Sequence, residues 1–323
     1  MIGLYAHHHG AGHLTRCRAV AAALAPHHET VILSSHPDAD VVLPPDAPAG
    51  PDARQDAQGA LHWAPVGVDG HTERLAVIAA WIQRHRPAAF HVDLSVEVTA
   101  FVRLMGIPTT VQALPGIRDD APHALGFRLA DRIIAAWPDW VPLPAHLEPF
   151  AAKVRRVGGI SRFDGRPSTT PRGRDTAILL GGGGQDGSPG YWRDVARLAT
   201  EHLGGRARLL GLDEWVEDPF ELLAAARLVI SAAGQNSVAD LAAAGARAVV
   251  LPQTRPFQEQ AATARILAQA GLATVPEHPG LPALTAWPQL LQRALAGEPH
   301  WQSWQVAGAA QRAAGVVLEA ARP

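Results

Sequence analysis

Two α/β domains, each a doubly wound parallel sheet, are what this sequence predicts, and three observations carry the prediction. Short apolar runs alternate with segments of helical period along most of the 323 residues, the pattern left by β-α-β crossovers. A glycine-rich turn separates the first strand from the first helix in each half, HHGAGH at 8–13 and GGGGQDG at 181–187. A break rich in Pro, Arg, Ser and Thr, RPSTTPRGRDT at 166–176, reads as a linker between the halves.

Taken in order, IGLYAHH reads as a buried strand, GAGH as a turn, and LTRCRAVAAALA as a helix with Leu14, Cys17, Ala21 and Leu24 at helical spacing. ETVILSS is a second strand. Residues 37–59 are rich in Pro, Asp and Ala without periodicity, which predicts a long irregular connection. A helix over Glu73–Arg84, a strand in AAFHVDL, a helix in SVEVTAFVRLMG ended by Gly106, and a strand in IPTTVQAL follow. Past the break, AILLGGGGQDGSPGYWRDVARLATEHL is strand, glycine loop and helix, with Ser188 as N-cap and Pro189 at the first helical position. ARLLGL and ARLVIS are strands, NSVADLAAAG a helix, ARAVVLP a strand, and FQEQAATARILAQAG a helix closed by Gly271.

Composition narrows the function. A formal net charge of −2 with 18% charged residues lacks the basic footprint of nucleic-acid binding, so no nucleic-acid partner is expected. A single cysteine, Cys17, excludes an internal disulfide and an all-cysteine zinc site, and its helical position marks it as a small core residue. Lys153 is the only lysine, which removes the Gly-Lys pair of a Walker loop. The start MIGLYA shows no secretory pattern and the longest apolar run is broken by Arg227, so a cytoplasmic protein is expected, with contact to a membrane surface left open.

The glycine loops sit where open α/β sheets bind ligands, at the carboxyl ends of strands. Glycine admits backbone N–H groups close to an oxygen-rich ligand, and the following helix start favours negative charge. A third stretch, 230–264, has the same character: the strand ends in small residues, and Gly234, Gln235, Asn236 and Ser237 open a helix whose N–H groups can receive a diphosphate. Asp240, one turn on, suits paired ribose hydroxyls, and Gln258, Glu259 and Gln260, which follow Phe257 in the next loop, suit sugar hydroxyls. The plainer reading is that QNS caps a helix and EQ decorates a surface.

With those residues in view, the sequence resembles the GT-B glycosyltransferases of glycosyltransferase family 28, the MurG type. VGGISR matches the linker motif whose arginine, Arg162 here, approaches the donor phosphate. LLGGGGQDG matches the phosphate loop, putting Gly182, Gly183, Gly184 and Gln185 against the diphosphate, although Gly183 stands where the family has serine. SAAGQNSVADLAAAG matches the nucleotide-sugar helix, with Asp240 where the family usually has glutamate. RPFQEQ matches the donor-sugar loop, and DEWVEDP would approach the base with Trp215 and Val216. GAGH matches the acceptor loop and would make His13 the general base, a role that an imidazole at a glycine turn suits on its own chemistry. The resemblance implies two Rossmann-like domains facing across a cleft: an acceptor domain over 1–156, a donor domain over 157–299, and a final helix at about 300–323, anchored by Trp301 and Trp304, packing back on the first. It also implies a nucleotide diphosphate sugar, UDP- or TDP-linked, as donor, inverting transfer to a small-molecule or lipid-linked acceptor, and no resident cofactor or metal. The segment VQALPGIRDDAPH departs from the polar run with which MurG recognises its acceptor, so that acceptor is not carried over.

The crowd of histidines, His7, His8, His9 and His13, admits a metal box, buried capping residues or a ligand loop. In an extended strand His8 faces away from His7 and His9, which disfavours a shared metal. The loop reading makes His8, His9, Gly10 and Gly12 acceptor-binding. Asp93 and Glu97 either bind acceptor hydroxyls, orient His13 or cap a helix; Asp119 and Asp120 either line the cleft or are merely solvated. Two rivals remain at this stage. GHLTRC also resembles a segment of the MurG-like nucleotide-sugar hydrolase of pseudaminic acid synthesis, where the histidine activates water. The other is a nucleotide-sugar-binding protein without turnover.

Overall fold

In the computed structural model, residues 1–8, 10–47, 55–168, 170–180, 186–278 and 280–322 are described. The first half builds a seven-stranded, wholly parallel sheet from β1 (Ile2–Ala6), β2 (Thr30–Ser34), β3 (Val41–Val42), β4 (Ala89–Asp93), β5 (Thr109–Ala113), β6 (Arg132–Ala135) and β7 (Val154–Arg156), in the order β3-β2-β1-β4-β5-β6-β7. Helices α1 (Ala11–Leu24), α2 (Asp69–His85), α3 (Val96–Leu104) and α4 (Ala121–Leu129) connect them. The second half holds a four-stranded parallel sheet of β8 (Thr176–Leu179), β9 (Ala207–Leu210), β10 (Leu228–Ala232) and β11 (Ala248–Leu251), in the order β11-β10-β8-β9. Its helices are α5 (Pro189–Leu203), α6 (Phe220–Ala225), α7 (Gln235–Ala243), α8 (Glu259–Gln269) and α9 (Trp287–Ala296), and α10 (Ala309–Ala320) ends the chain.

The strands are buried on both faces, as β1, β4 and β5 are at every position, because parallel sheets are covered by helices on both sides. β1 ends at Ala6, with its apolar run and two residues short of the strand read in IGLYAHH. Its neighbour β4 ends at Asp93, opposite Ala6, so beyond that pair there is no ladder to extend. The 37–59 connection contains one short strand that periodicity missed, β3, paired to β2 through Leu33–Val41 and Ser34–Val42. Two residues are too few to show a period.

The chain crosses between the sheets upstream of the compositional break. Gly158 donates its N–H to Trp137 O and Gly159 to Trp304 O, while the stretch rich in Pro and Arg lies on the second lobe, with Arg166 on Asp218 and Ser168 and Thr170 on Glu221. Gly158 adopts φ +83, and a Cβ there would lie 2.1 Å from Gln305 O, so only glycine fits the crossing. From there α10 returns to the first sheet, packing Ala309, Ala313 and Val317 against Leu14, Val20 and Leu24 of α1. Alanines at successive turns of α10 allow the close approach, and each buried Leu or Val contributes roughly 1.5–3 kcal/mol.

Candidate active site

In the first sheet the chain leaves β1 toward β2 on one side and has β4 on the other, so β1/β4 is the switch point at which an open sheet leaves a crevice. The structure puts His13 and Asp93 there, one in the first turn of α1 and the other at the last position of β4. His13 Nδ1 lies 2.8 Å from Asp93 Oδ1. Asp93 is fully buried and is gripped by Arg16, whose Nε and Nη2 donate to its two oxygens at 2.6 and 2.7 Å. Burial alone would raise the carboxyl's pKa, but the Arg16 charge, then His13 and the hydrogen bonds, outweigh it and hold Asp93 well below the ordinary carboxylate range. An ionised carboxylate only accepts, so the proton sits on Nδ1 and Nε2 carries the free lone pair. Among the described residues no hydrogen bond to Nε2 is found.

The second sheet has its own switch point between β10 and β8, and α7 begins just past β10. Gly234 at its N-cap provides no side-chain hydrogen bond, so the QNS residues do not cap the helix and its first N–H groups remain available. This start meets the start of α1 across the cleft. Asn236 Nδ2 donates to Gly12 O at 2.7 Å, and Arg16 Nη1 donates to Gln235 Oε1 and Asn236 Oδ1 at 3.2 and 3.1 Å. Arg16 falls in the GHLTRC resemblance without a role assigned to it, yet it binds the orienting carboxylate and the opposite lobe at once. The available signal was its spacing, three residues after His13 and hence on the same face of α1.

The other expected site residues are distributed as follows. Gly10 is the N-cap of α1. His8 stacks on His7, with ring centroids 4.8 Å apart, and approaches Asp46 at 3.7 Å; the early end of β1 brings these two rings to one side, against the alternation expected of a strand. Asp93, with no exposure and both oxygens bound, stands behind His13 and not at an acceptor-binding surface. Glu97 accepts from the N–H groups of His62 and Trp63 at 2.8 and 3.0 Å and pins that loop to α3, so its Oε1 is spent on backbone. Arg162 bonds Asp240 at 3.3 Å and lies 4.6 Å over the Phe163 ring, while Ser161 Oγ donates to Asp240 at 2.7 Å; burial raises the Asp240 pKa against the pull of those two bonds. Trp215 is 81% exposed and Val216 packs on the second core. His9 and the loop residues Gly182, Gly183, Gly184 and Gln185 lie outside the described residues.

The RPFQEQ loop divides by residue. Gln260 is buried, its Oε1 accepting from Ala233 and Gln253 N–H at 3.2 and 3.0 Å, which joins the ends of β10 and β11. Glu259 pairs with Arg118 of the first lobe at 3.0 Å, and Arg118 also sits 4.6 Å from the Phe257 ring. Phe257 O accepts from Ile117 N–H at 2.8 Å. The contact requires Gly116, at φ +100, where a Cβ would come within 2.1 Å of Phe257 O. Arg118, His62 and His123 were also unmarked in the sequence. Around Asp120, the N-cap of α4, His62 Nε2 and His123 Nδ1 approach the carboxylate at 3.1 and 2.7 Å. These three could gather a cation, but Arg118 Nη1 lies 3.0 Å from His123 Nε2, which keeps the His123 proton on Nδ1 and opposes metal ligation there.

Comparison with known proteins agrees with this architecture. Residues 215–283 match the glycosyltransferase family 28 C-terminal domain. Among solved structures, Acinetobacter baumannii MurG is similar over 98% of this chain and 99% of its own, at 17% identity and a TM-score of 0.59. The spinosyn rhamnosyltransferase SpnG complexed with thymidine diphosphate is similar over 99% of this chain and 96% of its own, at 16% identity and a TM-score of 0.59. Phytolacca americana UGT2 complexed with UDP-2fluoro-glucose and pterostilbene covers 99% and 93%, at 15% identity and a TM-score of 0.60. No curated protein sequence matches. The likeness to these solved structures shows a GT-B fold of two parallel-sheet domains, and the match to the family 28 C-terminal domain falls within the second of them.

Proposed function

We propose that this protein transfers a sugar from a UDP- or TDP-linked donor to an acceptor hydroxyl with inversion. The donor would lie on the second lobe, its diphosphate at the uncapped start of α7 and the glycine loop at 182–185, with Arg162 moving onto it from Asp240. Asp240 would take the ribose, Trp215 and Val216 the base, and the loop from Phe257 to Gln260 the sugar. His13 Nε2 takes the acceptor proton while Asp93 stabilises the imidazolium that forms. Helix N–H groups and arginine meet the charge on the leaving diphosphate, so the reading calls for no resident metal. The carrying observation is the buried Asp93–His13 pair opposite the α7 start, joined to it through Arg16 and Asn236. That the relatives named above bind thymidine diphosphate or a UDP-sugar supports the donor class.

A panel of nucleoside diphosphates and nucleotide sugars in thermal shift tests it, because a ligand that binds only the folded state raises apparent stability. A rise in Tm with UDP or TDP is expected; no response to any nucleotide would overturn the donor assignment. The GHLTRC stretch, with His13 and Arg16 both engaged, also fits water as the nucleophile. Free sugar released at a rate no acceptor can divert would move the reading to hydrolysis.

A further inference from the structure

A cavity of about 220 Å³ lies between the lobes, walled by Ile117, Trp137, Val141 and Pro142 from the first lobe, Ile266 of α8 and Trp304 at the crossing. Gln235 forms part of its lining, so one side chain borders both this cavity and the Arg16 bridge. An apolar cavity of about 150 Å³ already accepts a benzene ring, so this one has room for a larger ring body.

Its polar character is one-sided. Arg265, an exposed residue, is the only charged one in the lining and no acidic side chain joins it; no protein partner for its guanidinium is found among the described residues, which leaves it to solvent or a ligand. Two lining side chains also hold buried N–H donors without an acceptor, Gln235 Nε2 and Trp137 Nε1, while the Nε1 edge of Trp304 packs on Gly159. The Gln235 Oε1 end is engaged by Arg16, which leaves the donating end over. Each buried donor without a partner costs about 1–3 kcal/mol, which a ligand oxygen recovers once a side-chain shift opens that N–H to the cavity. A polyol is a poor match, since its many donors would face an apolar wall with few acceptors.

We propose that this cavity binds an apolar ring compound carrying an anionic oxygen, a hydroxyaryl carboxylate being the simplest form, and that this is the acceptor class. The acceptor assignment rests on the transferase reading above. The ring body fills the space between Trp137, Ile266 and Trp304, the anionic group meets Arg265, and further oxygens accept from the unpaired N–H groups. The position beside Gln235 sets the ligand next to the α7 start, where the donor diphosphate is expected.

The test uses the full chain and 8-anilino-1-naphthalenesulfonate, an apolar anion whose emission rises in apolar surroundings, with N-phenyl-1-naphthylamine as its neutral counterpart. Saturable one-to-one binding of the sulfonate is expected, with energy transfer from tryptophan. Arg265→Ala should weaken the sulfonate about fivefold and the neutral probe less than twofold. Ala262→Phe, which fills the cavity, should weaken both at least tenfold; if it fails to fold, the Arg265→Ala comparison decides alone. Hydroxyaryl carboxylates should displace the probe and glucose or N-acetylglucosamine should not. Binding that never saturates, an Arg265→Ala protein that binds both probes as before, or displacement by sugars and not by aryl acids would overturn the proposal. Nucleoside diphosphate binding is titrated in parallel. Its retention without probe binding sinks this inference alone, and its own failure sinks the donor reading.

Discussion

Two of the first lobe's histidine–aspartate groups, at Asp93 and at Asp120, differ in what stands behind the carboxylate. Asp93 has no exposure, holds His13 at 2.8 Å and is clamped on both oxygens by Arg16. Asp120 is 33% exposed and is shared between His62 and His123, with its Oδ1 also accepting from His123 N–H. The buried anion fixes one imidazole, its tautomer and the direction of its free nitrogen. The shared one serves as a helix cap and divides its charge between two rings, of which His123 has its second nitrogen against Arg118. The contrast teaches that an Asp near a His is a poor mark of a base; a desolvated Asp whose other partners leave the His a single free nitrogen is a better one.

Removing the imidazoles breaks the comparison most sharply. His13→Ala should lower the release of nucleoside diphosphate from the donor by about 10²–10⁴-fold with donor affinity nearly unchanged, while His62→Ala stays within about threefold. Equal losses in steady-state kinetics would mean that the two pairs act alike. Next come the carboxylates. Asp93→Asn leaves Arg16 buried without its anion and should cost about 3–5 kcal/mol in denaturant unfolding. Asp120→Asn keeps a competent cap and weakens only a part-exposed pair, so about 1 kcal/mol or less is expected.

A pH titration of stability sharpens the same contrast. Burial lowers His91 to about 4 and also lowers His123 to about 4, the latter against the opposing pull of Asp120. Between about pH 6.5 and pH 4 the unfolded chain therefore binds protons that the folded chain does not, and stability falls as pH falls through that window. At about 1.4 kcal/mol per unit, each histidine contributes on the order of 2–3 kcal/mol. Asp93, whose pKa is depressed, keeps its stabilising contribution throughout that window and loses it only at lower pH, below the ordinary carboxylate range. His91→Gln should flatten the dependence of Tm on pH between 6.5 and 4, and an unchanged slope would contradict the assignment. The smallest effect is expected at the bridge between lobes: Glu259→Gln, which weakens the Arg118 pair, should change donor affinity by only a few-fold in calorimetry.

The alternation of strands and helices and the start of α7 were legible because each rests on local periodicity or on residues adjacent in sequence. The His13 position was legible for the same reason. Arg16 and Arg118 were not, since their partners lie 77 and 141 residues away, at Asp93 and Glu259, and an arginine looks the same in sequence whether it is solvated or buried in a pair. The roles expected of Asp93 and Glu97 were left between several readings because a carboxylate at a strand end shows its partners only after the sheet has assembled. Composition alone pointed to a linker at 166–176, where Pro and Arg follow the surface of the second lobe, whereas the VGGISR resemblance put the boundary at 156/157, beside the crossing at Gly158.

The most direct test is amide hydrogen exchange at Gln235, Asn236 and Ser237 with and without a saturating nucleoside diphosphate. Slowed exchange at those three positions, retained in His13→Ala, is the predicted result. Nucleotide binding that leaves their exchange unaltered would contradict a diphosphate seated at the α7 start.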